Sequence, residues 1–284
     1  MKILIWAVLL SSVSLAANQG PSDPGERKLT ENGWKEETFK RIGDTPLKAW
    51  YKKPDNHDHA GKTPAIVFFY GGGWRARNLT QFQQQGEYLA RRGMVVILAD
   101  YRAKSRYGGT PFDCVEDAKS AIRHVRATAA AHGIDPDRIA AGGGSAGGHL
   151  AAATALVPGL NAGTDDQSVS CVPNALVLFN PAYGAHQNGY GWPRFKDRWK
   201  EIAPMNFIEQ GAPPNIVFLG DKDKFIPVAT AESWKSKMEA VGTRSDLHLY
   251  EGRTHGFFNK GEDMKDTLAK TDAFLVSLGY LKAE

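Results

Sequence analysis

Gly143-Gly144-Ser145-Ala146-Gly147 sets a serine hydroxyl among glycines in the pattern G-x-S-x-G. The run Arg138-Ile139-Ala140-Ala141 leads into it, and the small-residue stretch His149-Leu150-Ala151-Ala152-Ala153 follows. Strand, tight turn and helix in that order make a nucleophile elbow. Side chains two positions either side of the serine would clash in so tight a turn, so glycine is needed there. The hydroxyl is lifted clear of the sheet, and the helix N-terminus beneath it favours negative charge.

A serine hydroxyl attacks well only when a base removes its proton. In elbow enzymes the acid and then the histidine follow the serine along the chain. His149, His186, His248 and His255 follow Ser145. His149 lies in the helix leaving the elbow, which points it away from the serine. His186 precedes the last two strands, and His248 falls inside one. His255 sits just after a strand, in Arg253-Thr254-His255-Gly256, and is the candidate base. An acid must orient the imidazole. Asp221 and Asp223 both follow the apolar run ending at Leu219-Gly220, and either satisfies that rule. Tyr70-Gly71-Gly72-Gly73-Trp74 closes an earlier apolar run. Its glycines let backbone N–H groups approach a developing oxyanion, and the N–H of Ala146 is a further donor.

These groups need a frame. Apolar runs at 47–51, 65–70, 94–99, 175–179, 215–219 and 247–250 read as strands. Helical patterns occupy 81–92, 229–241 and 264–278, and another starts at Asp113 as N-cap, with Glu116 three on, and runs to about 131. Strands apolar on both faces that alternate with helices predict a mostly parallel sheet covered on both sides. In such sheets ligands bind beyond the carboxyl ends of the strands. That rule selects the candidates above.

The 284 residues, 42% hydrophobic and 23% charged, suit one large α/β domain. The net charge of +4 is mild and scattered, which gives nucleic-acid binding little support. Lys2, the apolar run at 3–10 and Ser14-Leu15-Ala16 read as a signal peptide cleaved after Ala16. That run is shorter than the roughly 20 residues of a bilayer span. The expected organisation is a leader at 1–16, a flexible segment at 17–40 and a catalytic domain at 41–284, with a short lid or substrate loop at 181–204. An oxidising compartment permits a disulfide between Cys114 and Cys171. His57-Asp58-His59 lies in a polar turn and reads as solvated rather than as a metal site.

Together these residues resemble the α/β-hydrolase superfamily, in particular the hormone-sensitive-lipase-like esterases and related bacterial carbohydrate esterases. The match spans roughly 45–280. Its anchors are residues 70–74, Asp100-Tyr101-Arg102, Pro111-Phe112 with Glu116-Asp117-Ala118, residues 143–148, and residues 220–227 followed by His255-Gly256-Phe257. The resemblance implies a Ser145–His255–Asp223 triad, with Gly72, Gly73 and Ala146 as oxyanion donors. It implies ester hydrolysis through an acyl-enzyme, with no metal or organic cofactor. Tyr70 stands where that family usually has histidine, and Gly144 where hormone-sensitive-lipase relatives often have aspartate.

Residues 142–147 also satisfy the dinucleotide fingerprint G-x-G-x-x-G, but the strand that follows ends at Asn180 rather than at an acid. The rival readings within the fold are a peptidase or amidase and a catalytically silent binding protein. Trp74, Tyr183 and Trp192 are candidate walls of a substrate pocket. The short insertion favours short acyl esters. With export, acetyl or feruloyl groups on plant polysaccharide are the expected substrates, by analogy with the family.

Overall fold

The computed structural model describes residues 23–55, 57, 62–183 and 190–284. The leader at 1–16, Asp58, His59 and His186 lie outside these residues.

Ordered structure begins earlier than the charged N-terminal composition suggests. Helix α1 (Pro24–Glu31) opens on Asp23, whose carboxylate accepts the Gly25 N–H at 2.8 Å, with proline in the first turn. Strand β1 (Lys35–Ile42) then pairs antiparallel with β2 (Thr45–Lys52). Residues 24–31 and 35–40 thus belong to helix and strand, which corrects the flexible segment expected there. The composition hides β1 because Lys40 is its one buried residue. The Lys40 ammonium reaches the fully buried Asp117 at 2.8 Å, so charge pairing replaces the apolar alternation that marks most strands.

The next units are β3 (Thr63–Phe69), α2 (Gln83–Arg91), β4 (Val95–Ala99), the single turn α3 (Lys104–Tyr107) and α4 (Pro111–Ala127). Helix α4 begins before Asp113. Thr110 is its N-cap and Pro111 its first residue, and Asp113 closes a capping box by accepting the Thr110 N–H at 2.8 Å. A further turn, α5 (Ala129–His132), leads into β5 (Ile134–Gly144) and α6 (Ala146–Leu156). The C-terminal part holds β6 (Ala175–Phe179), the short helices α7 (Trp192–Phe195) and α8 (Trp199–Ile202), then β7 (Asn215–Gly220), α9 (Val228–Ala240), β8 (Ser245–Tyr250) and α10 (Gly261–Ser277).

One eight-stranded sheet has the order β1-β2-β4-β3-β5-β6-β7-β8. From β4 to β8 across the sheet every neighbour pairs in parallel; β1 and β2 run antiparallel at one edge. Strands β4, β6 and β7 are buried along their whole length, as a sheet covered on both faces requires. The architecture is the α/β-hydrolase fold that the sequence led us to expect. From β3 the chain crosses to β4 on one side, while β5 lies on the other. The carboxyl ends of β3 and β5 therefore meet at a topological switch point, with Phe69 paired to Gly143. The glycine loop and the elbow grow from those two ends.

Cys114 and Cys171 are free thiols, which corrects the expected disulfide. Cys114 sits on α4 with its sulfur on the Arg102 carbonyl; Cys171 lies before β6 with its sulfur on the Thr154 carbonyl. Each thiol has its own acceptor on a different segment. Burial pushes the Cys114 thiol well above its ordinary range and keeps it protonated.

Helix α6 packs so closely under β3 that a Cβ on Gly147 would lie 2.0 Å from the Phe69 carbonyl oxygen. Backbone on both sides cannot yield. Gly147→Ala should therefore destabilise the protein by about 3 kcal/mol or more, read as the shift of a urea unfolding midpoint. An unchanged midpoint would show that the elbow has slack that the structure does not display.

Candidate active site

Ser145 occupies the turn between β5 and α6 with φ 55° and ψ −118°. This conformation is unfavourable for a residue with a Cβ, by about 1–3 kcal/mol, and persists only where the surroundings enforce it. Its N–H donates to the Phe179 carbonyl of β6 at 2.9 Å, and its own carbonyl accepts the Ala182 N–H at 3.1 Å. The elbow is thus pinned to the neighbouring strand end. Ala146 is the first residue of α6, so its N–H has no intrahelical acceptor.

The structure separates the two candidate acids. The Asp223 side chain is fully buried, and its Oδ2 lies 2.7 Å from His255 Nδ1. Its Oδ1 accepts the N–H groups of Phe225 at 2.8 Å and Ile226 at 3.1 Å, which fixes the carboxylate. Asp221 instead accepts the Gly252 N–H at 2.7 Å and braces the turn after β8. Ser145 and His255 border one cavity of about 330 Å³. Among the described residues the serine hydroxyl makes no hydrogen bond to the ring.

The glycine loop lines the same cavity. The Gly71 N–H is taken by Gln81 Oε1 at 2.5 Å, whereas those of Gly72 and Gly73 have no acceptor among the described residues. Gly72 has φ 130°, and a Cβ there would meet the Ala76 carbonyl oxygen at 2.3 Å. Gln81 also donates from Nε2 to Asn259 Oδ1 at 3.0 Å, and Asn259 donates to the Gly256 carbonyl at 2.8 Å. A single glutamine therefore ties the glycine loop to the segment that carries His255. The histidine missing from position 70 has no direct substitute. The Tyr70 phenol points away from the cavity to Asp100 at 2.7 Å, where the Arg77 guanidinium and the Tyr107 phenol converge on the same carboxylate.

The aromatic pocket residues need correction. Trp74 is 1% exposed and stands behind the loop, its indole N–H donating to His149 Nδ1 at 3.3 Å. His149 is bonded through Nε2 to the Ile202 carbonyl, and burial pushes it down to about 4, so it stays neutral and structural. Tyr183 is buried against Trp234, with ring centroids 4.2 Å apart. Trp192 opens α7 and does not reach the cavity. The aromatic walls are Tyr190, Phe225 and Phe258, with Asn180 and Arg194 as polar members. Of these only Asn180 and Phe225 carried a usable signal, since Asn180 directly follows β6 and Phe225 lies two positions after Asp223. Asn180 has φ 30°, and its Nδ2 lies 3.3 and 3.4 Å from the two ring nitrogens of His255.

Among the described residues no group of three or more histidine, cysteine or acidic side chains could hold a metal ion. His57 Nε2 lies 2.7 Å from the His132 carbonyl, a structural contact. No helix among the described residues is long and apolar enough to cross a membrane.

The chain matches the BD-FAE family model over residues 53–173 and the dienelactone hydrolase family model over residues 179–284. A thermophilic esterase from the Planctomycetes species Thermogutta terrifontis, solved with propionate bound, is 41% identical, with a TM-score of 0.85, and the alignment covers 89% of this chain and 97% of that one. The same esterase phosphonylated by sarin is 40% identical, with a TM-score of 0.85, and coverage is again 89% and 97%. A probable isoprenylcysteine alpha-carbonyl methylesterase of Oryza sativa subsp. japonica is 30% identical over 222 residues, which is 70% of this chain and 52% of that protein. Esterase LipC of Mycobacterium tuberculosis is 28% identical over 245 residues, 76% of this chain and 58% of that protein. The chain spans about half the length of the curated relatives it matches. A serine elbow, an acid–imidazole pair and two open glycine N–H groups around one cavity, together with a 41% identical esterase that aligns over nearly its whole length, place this chain in the α/β-hydrolase superfamily, among its carboxylesterases.

Proposed function

We propose that the protein is a serine carboxylesterase that acts through an acyl-enzyme. The observation that carries this reading is the 2.7 Å contact from Asp223 to His255 Nδ1 on the rim of the cavity that Ser145 enters from its strained turn. Asp223 fixes the tautomer with the proton on Nδ1, which leaves Nε2 as the base. Ser145 Oγ attacks the ester carbonyl carbon and gives its proton to Nε2. The carbonyl oxygen becomes an oxyanion under the N–H groups of Gly72, Gly73 and Ala146. Collapse breaks the bond to the alcohol oxygen, which takes the proton from the imidazolium. Water then repeats the sequence and releases the acid. Serine–histidine contacts of this kind commonly close only once substrate is bound.

Short acyl groups fit a cavity of about 330 Å³ walled by Tyr190, Phe225 and Phe258. The related Thermogutta esterase has been solved with propionate and with butyrate, which supports the same acyl class here. We further propose that the protein is exported after cleavage behind Ala16. Acetyl or feruloyl esters of plant polysaccharide are the substrates this reading favours, and acetate release from acetylated xylan tests that choice.

Ser145→Ala should abolish hydrolysis of 4-nitrophenyl butyrate and leave the unfolding midpoint in place; wild-type turnover by this variant would overturn the nucleophile assignment. Asp223→Asn should lower kcat by about 10⁴-fold, by analogy with other triads. Asp221→Asn should lower it far less, and the reverse order would exchange the two acids. Gln81→Ala frees the Gly71 N–H and cuts the tie to Asn259. It should reduce kcat by about tenfold or more while KM changes little, because the loop is needed most in the transition state. A change confined to KM would place Gln81 in ground-state binding instead.

A further inference from the structure

Among the described residues that line the cavity, one carries a permanent charge, and it is a cation. Arg194 lines it beside Tyr190 and the glycine loop, and among the described residues no aspartate or glutamate lines it. The guanidinium lies 3.7 Å from where a Cβ on Gly73 would sit, so it flanks an oxyanion donor. Its carbon stands 5.8 Å from the Tyr190 ring centre and 5.9 Å from that of Trp74. Aromatic faces steady such a cation but leave its N–H donors unused. Three other arginines, by contrast, are paired with acids: Arg198 meets Glu201 at 2.7 Å, Arg102 meets Asp117 at 2.7 Å, and Arg77 meets Asp100 at 2.7 Å. Among the described residues Arg194 has no acidic partner, and only its backbone N–H is bonded, to Gly191.

A half-buried guanidinium with free donors is a ready site for a carboxylate, which it can bind through two parallel N–H···O bonds. The geometry points to Arg194 as a specificity determinant that selects esters carrying a carboxylate a few bonds from the scissile carbonyl. This rests on the esterase reading and names the substrate class within it. The carboxylate can sit on the acid portion, as in a half-ester of a dicarboxylic acid. It can equally sit on the alcohol portion, as in an acylated hydroxy acid or uronic acid. The alcohol version agrees with an acylated acidic polysaccharide.

Two matched pairs separate these sources. Monomethyl glutarate against methyl pentanoate tests the acid side, and 3-acetoxypropanoate against propyl acetate tests the alcohol side. In each pair a carboxylate replaces a methyl group. The quantity read is the ratio of kcat/KM for the charged ester to that for the neutral one, which cancels differences in the amount of active enzyme. We expect that ratio to fall at least tenfold in Arg194→Gln for one pair or both, and Arg194→Lys to retain part of it. Rising salt should lower it in the wild type. Ratios unchanged by Arg194→Gln in both pairs would overturn the proposal. If none of the four esters is turned over, the esterase reading itself fails. The arginine is then judged by glutarate binding to Ser145→Ala, where adding Arg194→Gln should weaken affinity tenfold or more; equal affinities would reject it.

Discussion

The site depends on how closely α6 passes beneath the ends of β3 and β5. A Cβ on Gly143 would lie 2.5 Å from the Gly147 carbonyl oxygen, and one on Gly147 would lie 2.0 Å from that of Phe69. No residue but glycine fits either place. The same closeness leaves Ser145 no room to relax from φ 55°. Three elements are thereby locked to one another, and two of them carry the serine and the glycine loop. The switch point in strand order makes β3 and β5 neighbours, so their loops share an edge without any special connection.

Two further devices hold the remaining parts. The Asp223 side chain is buried at the end of β7 and uses both carboxylate oxygens, one on backbone N–H groups and one on His255. Gln81 bridges the glycine loop and the histidine segment, reaching Asn259 across 178 positions of sequence. Two residues share the bracing of this edge. Tyr70 secures the end of β3 to Asp100, and Gln81 holds the loop itself. Burial and the Asp100 carboxylate both raise the Tyr70 phenol well above its ordinary range, so it acts only as a hydrogen-bond donor at neutral pH.

The catalytic frame was legible in the sequence because parallel strands buried on both faces are continuous apolar runs, and because chemistry collects where they end. That rule placed Ser145, His255 and the pair of acids. It could not separate Asp221 from Asp223, since both follow β7 and only the fold shows which one turns inward. The first helix and strand were hidden by a charge-paired edge, where Lys40 is the buried residue. The disulfide failed because sequence distance says nothing about which face of α4 Cys114 takes. Pocket aromatics were misjudged for a related reason. Trp74, Tyr183 and Trp192 are as apolar as Tyr190, Phe225 and Phe258, and only the packing decides which rings face the cavity. Gln81 and Arg194 act through long side chains from outside the strand ends, where no sequence rule directs attention.

The proposed mechanism requires the Ser145 oxygen to be the atom that bonds to substrate. Paraoxon phosphorylates the related Thermogutta esterase and supplies a direct probe. Treatment of the native protein followed by peptide mapping should find one diethylphosphoryl group, on the peptide containing Ser145. A modified residue elsewhere, or an unmodified Ser145 in fully inactivated protein, would contradict the account.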